Sequence, residues 1–187
     1  DVPYNKGQCD SPSGAFTSIS AGKWHTCAVR TTGQVECWGC QAHERDTAVD
    51  FGQCDPPDGG DFAQVAAGVF HTCALRADGQ AVCWGYDWGH DEAGQLDAPT
   101  DTFFYLAAGE QNTCGITLSG RARCWGCGDS DRDFGQCDPP ENPFIQISAS
   151  IVQTCGVTTG GAFQCWGCED NGTFDPYPPP GVQCMAR

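Results

Sequence analysis

Apolar and polar positions recur along this chain in one pattern, four times over. Each copy reads Phe-x-x-(Ile/Val/Leu)-(Ser/Ala)-Ala-(Gly/Ser), then Thr-Cys, nine residues, and Cys-Trp-Gly. The opening phenylalanines are Phe16, Phe62, Phe103 and Phe144, so the steps are 46, 41 and 41 residues. Inside each copy, β-branched or small apolar residues alternate with polar ones, as in Cys27-Ala-Val29 and Val35-Glu-Cys37. Turn residues separate the two runs: Thr31-Thr32-Gly33, Asp78-Gly79, Ser119-Gly120 and Thr159-Gly160-Gly161. Period-two alternation broken by a glycine-bearing turn predicts a β-hairpin in every copy. A fixed period of this size predicts stacked supersecondary units, a propeller or a solenoid, rather than one globular core.

The hairpins bring cysteines opposite each other. Cys27/Cys37, Cys73/Cys83, Cys114/Cys124 and Cys155/Cys165 are each ten positions apart. A second set is Cys40/Cys54, Cys127/Cys137 and Cys168/Cys184, and repeat two has Tyr86 and Leu96 at the two equivalent places. Both cysteines are absent together there, as expected if they bond to each other. This scheme leaves one orphan, Cys9.

Fifteen cysteines in 187 residues indicate an oxidising compartment. Zinc is the rival explanation, since Cys37–Cys40, Cys124–Cys127 and Cys165–Cys168 are C-x-x-C pairs. Zinc sites need two such pairs per ion or added histidines. Here each pair is flanked by two more cysteines of its own repeat, which favours disulfides.

Charge narrows the partners. Twenty-four acids against nine bases give a net charge of −15, which argues against nucleic acid, whose phosphates call for a basic stripe. No apolar run is long enough to span a membrane. The first residues are no signal sequence, so the chain reads as mature secreted protein, extracellular or at a cell surface.

The units Ala-Gly-Lys-Trp-His25-Thr-Cys27 to Cys37-Trp-Gly and Ala-Gly-Val-Phe-His71-Thr-Cys73 to Cys83-Trp-Gly resemble the bacterial, cysteine-bearing regulator-of-chromosome-condensation repeat. Gly-Gln-Cys-Asp-Pro-Pro at 52–57 and 135–140 is similar to that repeat's tail. The resemblance implies an all-β, propeller-like array of four four-stranded blades, stapled by disulfides. It also implies a structural histidine at His25 and His71, where the other copies have Asn112 and Gln153. The tryptophans at 38, 84, 125 and 166 are expected to pack between blades. Complete members usually close a ring of about seven blades, and this chain has four repeats. Residues 7–12, Gly-Gln-Cys-Asp-Ser-Pro, match a repeat tail without its beginning and read as surplus within the molecule.

Other signals are weaker. Asp129, Asp131 and Asp133 alternate like the start of a calcium loop but lack its bidentate Glu. Asn171-Gly-Thr173 is an N-glycosylation pattern, and Pro176–Pro180 predicts polyproline-II chain. Trp24, Phe70 and Trp88 are candidates for a sugar-binding rim. No nucleophile elbow, zinc-protease motif or phosphate loop occurs. No catalytic residue, metal or cofactor is therefore assigned.

The expected organisation is an arm, residues 1–14, and a four-repeat domain, 15–187, with repeats at about 15–60, 61–101, 102–142 and 143–187. The expected function is that of a secreted structural protein. It assembles head to tail, as in a filament, through its end blades, its arm and Cys9 at the interface. The alternative is a monomeric secreted module that binds a protein or glycan.

Overall fold

The computed structural model describes residues 7–40, 51–86, 94–128 and 134–167. Each repeat folds as a three-stranded antiparallel sheet in sequence order. The first sheet is β1 (Phe16–Ala21), β2 (Thr26–Arg30) and β3 (Val35–Trp38). The second is β4 (Phe62–Ala67), β5 (His71–Arg76) and β6 (Ala81–Gly85). The third is β7 (Phe103–Ala108), β8 (Thr113–Thr117) and β9 (Ala122–Trp125). The fourth is β10 (Phe144–Ala149), β11 (Gln153–Thr158) and β12 (Phe163–Gly167).

Alternation sets these strands, and the turn residues set the register. Gly33, Gly79, Gly120 and Gly161 have φ between 81° and 87°, the left-handed region that only glycine enters without cost. The hairpins place Cys27 opposite Cys37, Cys73 opposite Cys83, Cys114 opposite Cys124 and Cys155 opposite Cys165. All four pairs are disulfide-bonded.

The apolar core lies between blades rather than within them. Cys27 and Val29 of the first sheet meet Phe62, Val65 and Trp84 of the second. Cys73 and Leu75 meet Phe103, Leu106 and Trp125, and Cys114 and Ile116 meet Phe144, Ile147 and Trp166. Trp84, Trp125 and Trp166 are thus part of the blade-to-blade contacts. Among the described residues, no extensive strand packing joins the fourth sheet back to the first.

Strand number departs from expectation. The resemblance implies four strands per blade, and each described sheet has three. After the third strand come turns, closed by Asp55 N–H to the Gly52 carbonyl at 3.1 Å and Asp138 N–H to the Gly135 carbonyl at 3.1 Å. Pro56, Pro57, Pro139 and Pro140 follow, and proline has no N–H to give a ladder.

Candidate functional site

Four copies of one turn settle where each repeat tail goes. Gly7–Asp10, Gly52–Asp55, Gly94–Asp97 and Gly135–Asp138 each close with an N–H to carbonyl bond of 2.9–3.1 Å. The glutamine carbonyl inside each turn then docks on the following blade. Gln53 O accepts from Trp84 Nε1 at 3.0 Å, Gln95 O from Trp125 Nε1 at 3.2 Å, and Gln136 O from Trp166 Nε1 at 3.0 Å. The glycine after each tryptophan makes room. At Gly85, φ is +112° and an added Cβ would lie 3.1 Å from Gln53 Cβ.

The N-terminal segment obeys the same rule, which corrects its reading as surplus. Gln8 O accepts from Trp38 Nε1 at 2.9 Å and from Thr26 Oγ1 at 3.1 Å. Residues 7–12 therefore dock on this chain's own first blade through Gln8. The second disulfide set changes meaning as well. Cys40 follows the first sheet while Cys54 sits in the turn docked on the second, so Cys40–Cys54 spans two blades. Cys127–Cys137 does the same between the third and fourth. Cys9 occupies the Cys54 position, exposed and unbonded. Cys168 and Cys184 lie outside the described residues.

Histidine links blades too. His25 Nε2 lies 2.8 Å from Thr72 Oγ1, and His71 Nε2 lies 2.8 Å from Thr113 Oγ1. Thr72 Oγ1 donates its proton to Gln53 O at 3.0 Å, so His25 must donate from Nε2. Its Nδ1 is then a buried acceptor without a partner, and His71 Nδ1 is likewise buried without one. Burial lowers both histidines from 6.5 to about 4, with a smaller contribution at His71 from His25. Both are neutral structural groups at pH 7. Asn112 is shorter, and neither end of its buried amide has a hydrogen-bond partner.

Among the described residues, the two ends of the stack are open, and they match. Ile19, Val65, Leu106 and Ile147 hold one position in successive blades. The last three are 2 %, 2 % and 1 % exposed, while Ile19 is 68 % exposed. Phe16 and Trp38, beside it, are only half-buried where their equivalents are buried. On the last blade Phe163 is 64 % exposed and Val157 half-buried, at the positions of buried Ala122 and Ile116. The hairpin glycine tells the same story. A Cβ at Gly33 would meet Asp61 N of the next blade at 2.6 Å, whereas one at Gly161 would meet nothing within 4 Å.

Other candidates do not converge. Phe70 packs edge-on against Phe51 at 5.2 Å, and Trp24 lies under Lys23 Nζ at 5.4 Å. Trp88, Asp129, Asp131, Asp133, Asn171 and Pro176–Pro180 lie outside the described residues. Among the described residues, no three metal-ligating side chains cluster, and no helix is long and apolar enough to cross a membrane.

The sequence profile of the Regulator of chromosome condensation (RCC1) repeat matches residues 16–44, 62–87 and 105–136. Curated protein sequences contain no match. Among solved structures, the chain is similar to the entire ectodomain of the Physcomitrella patens receptor kinase CR4. That likeness has 27 % identity and a TM-score of 0.66, over 84 % of this chain and 40 % of that one. It is also similar to the CRINKLY WD40 ectodomain of the Arabidopsis thaliana receptor kinase ACR4, with 27 % identity and a TM-score of 0.55, over 80 % and 48 %. Prp20p from Saccharomyces cerevisiae matches at 19 % identity and a TM-score of 0.58, over 76 % and 41 %, a likeness of fold. The chain spans less than half the length of each.

Proposed function

We propose that this chain, which carries RCC1 repeats, is a non-catalytic extracellular protein that works by blade-to-blade contact with further copies of itself. The last blade of one copy covers the first blade of the next, head to tail. Such a heterologous contact runs on as a filament, or closes into a ring if the rotation permits. In this reading residues 15–187 form the array, and residues 7–12 finish its first blade.

The exposure of Ile19, against its three buried equivalents, carries the reading. Burying a side chain of this size stabilises by about 1.5–3 kcal/mol, and every internal boundary gains that term. Cys9 lies at the interface, where its counterparts Cys54 and Cys137 bond to a cysteine of the preceding blade. The disulfide content and the likeness to receptor ectodomains support an extracellular setting.

Sedimentation velocity over a concentration series tests this, with wild type beside Ile19→Asp. Concentration-dependent association of wild type, lost in the variant, is the expected result. A wild-type monomer at all concentrations would sink self-assembly. It would favour the second reading, a monomeric module for a protein or glycan ligand, which the similarity to two receptor ectodomains supports.

A further inference from the structure

At the first two internal boundaries, side chains grip the edge of the next blade's first strand. Gln64 Oε1 accepts from Leu106 N–H at 2.9 Å while its Nε2 donates to Leu106 O at 2.8 Å. Both bonds go to one residue, so the amide acts as a substitute peptide group on an edge strand. At the preceding boundary, Ser18 Oγ accepts from Val65 N–H at 3.2 Å, and Ser20 Oγ accepts from Ala67 N–H at 2.9 Å. The positions equivalent to Ser18 and Gln64 are Tyr105 and Gln146. On the last blade, Gln146 and Ser148 are exposed.

We propose that Gln146 is the register-setting clasp of the contact between copies, gripping the N–H and C=O of Ile19 in the next copy. This rests on the head-to-tail reading above and commits to a second copy as occupant. The ground is continuity with the internal boundaries. Ile19 pairs with Ala28 as Leu106 pairs with Gly115, and each lies on the first, outermost strand of its sheet. Ser148, at the Ser20 position, accepts from Ala21 N–H of the next copy, as Ser20 does from Ala67.

The clasp explains specificity as well as adhesion. Successive strand residues face opposite sides, so a slip of one residue would turn Ile19 away from the covering blade. Gln146 meets both backbone groups of one residue only when that residue also buries its side chain. Apolar burial and polar register are then satisfied together or not at all.

Sedimentation and amide hydrogen exchange on Gln146→Leu and Ser148→Ala separate this idea from the reading beneath it. Wild type should associate with new protection at the Ile19 and Ala21 amides. Gln146→Leu should weaken association about tenfold or more, two hydrogen bonds being lost, and leave the Ile19 amide unprotected in whatever assembly remains. Ser148→Ala should remove protection at Ala21 while keeping it at Ile19. Wild-type assembly with a Gln146→Leu variant that associates equally and protects Ile19 would overturn the clasp and leave head-to-tail contact standing. A wild type that never associates overturns both.

Discussion

His25 Nε2 stands 2.8 Å from Thr72 Oγ1, and the two residues belong to different blades. The same threonine donates onward to Gln53 O, so one hydroxyl ties a histidine, a docked turn and two sheets together. His71→Ala removes the equivalent bond to Thr113 and leaves a cavity, and should destabilise by about 2–3 kcal/mol in denaturant unfolding. Acid should loosen the same contacts. Both histidines are lowered from 6.5 to about 4, so between those values the unfolded chain binds protons that the folded chain refuses. Stability is therefore whole above pH 6.5 and falls as pH drops toward 4, by up to about 1.4 kcal/mol per unit for each histidine. Replacing both with Asn should flatten the curve between pH 6.5 and 5; an unchanged slope would assign it to other groups.

Asn112 is a natural short version of that link. Its amide is buried with both ends unpaired, next to Gly109, which occupies the place of Gly22 and Gly68 beside the two histidines. Asn112→His should reach Thr154 as its counterparts reach Thr72 and Thr113. The expected gain is about 1 kcal/mol, read as a higher melting temperature; a lower one would mean the third boundary is too tight for the ring.

Hairpin glycines should divide by position. Gly33→Ala should destabilise the monomer, since its Cβ would press on Asp61 N at 2.6 Å. Gly161→Ala has no such neighbour and should cost only the left-handed backbone penalty of about 1–2 kcal/mol. It should nonetheless block association, because in head-to-tail contact its Cβ would meet the next copy. Assembly by a folded Gly161→Ala chain would refute that contact.

Disulfides should reduce in order of exposure. Cys27, Cys73 and Cys114 are 0 % exposed, each bonded to a half-buried partner, while both cysteines of Cys40–Cys54 and of Cys127–Cys137 are half-buried. Titrating a reductant and mapping alkylated peptides should show the inter-blade pairs opening first and the hairpin pairs last. The reverse order would mean that the boundaries open more readily than their burial indicates.

Local chemistry was legible along the chain; its long-range destination was less so. The hairpins follow from alternation and turn residues within one copy, and facing cysteines follow from the hairpins. The docking of Gln8 on Trp38 joins residues 30 apart, and nothing local announces it. A signal did exist in the spacing. Gly7, Gly52, Gly94 and Gly135 precede the next phenylalanine by 9, 10, 9 and 9 residues, but follow the tryptophan of the previous Cys-Trp-Gly by 14, 10 and 10 where one exists. The steadier distance binds each tail to the blade ahead of it. Ile19 carried no mark at all: it matches Val65, Leu106 and Ile147 in kind, and only the packing sets it apart. Strand number failed for a simpler reason, because the tails carry prolines where a ladder needs donors.

The offset between tail and blade also has a genetic consequence. A crossover joining any two of the codons for Gly7, Gly52, Gly94 and Gly135 removes or duplicates whole turn-plus-sheet units, each with its glutamine still facing its own tryptophan. Every splice of that kind keeps the fit of turn to tryptophan, although one that sets Cys40 against Leu96 or Tyr86 against Cys137 leaves an inter-blade disulfide unmade. Copy number in such a gene can drift by recombination without passing through a chain that cannot fold.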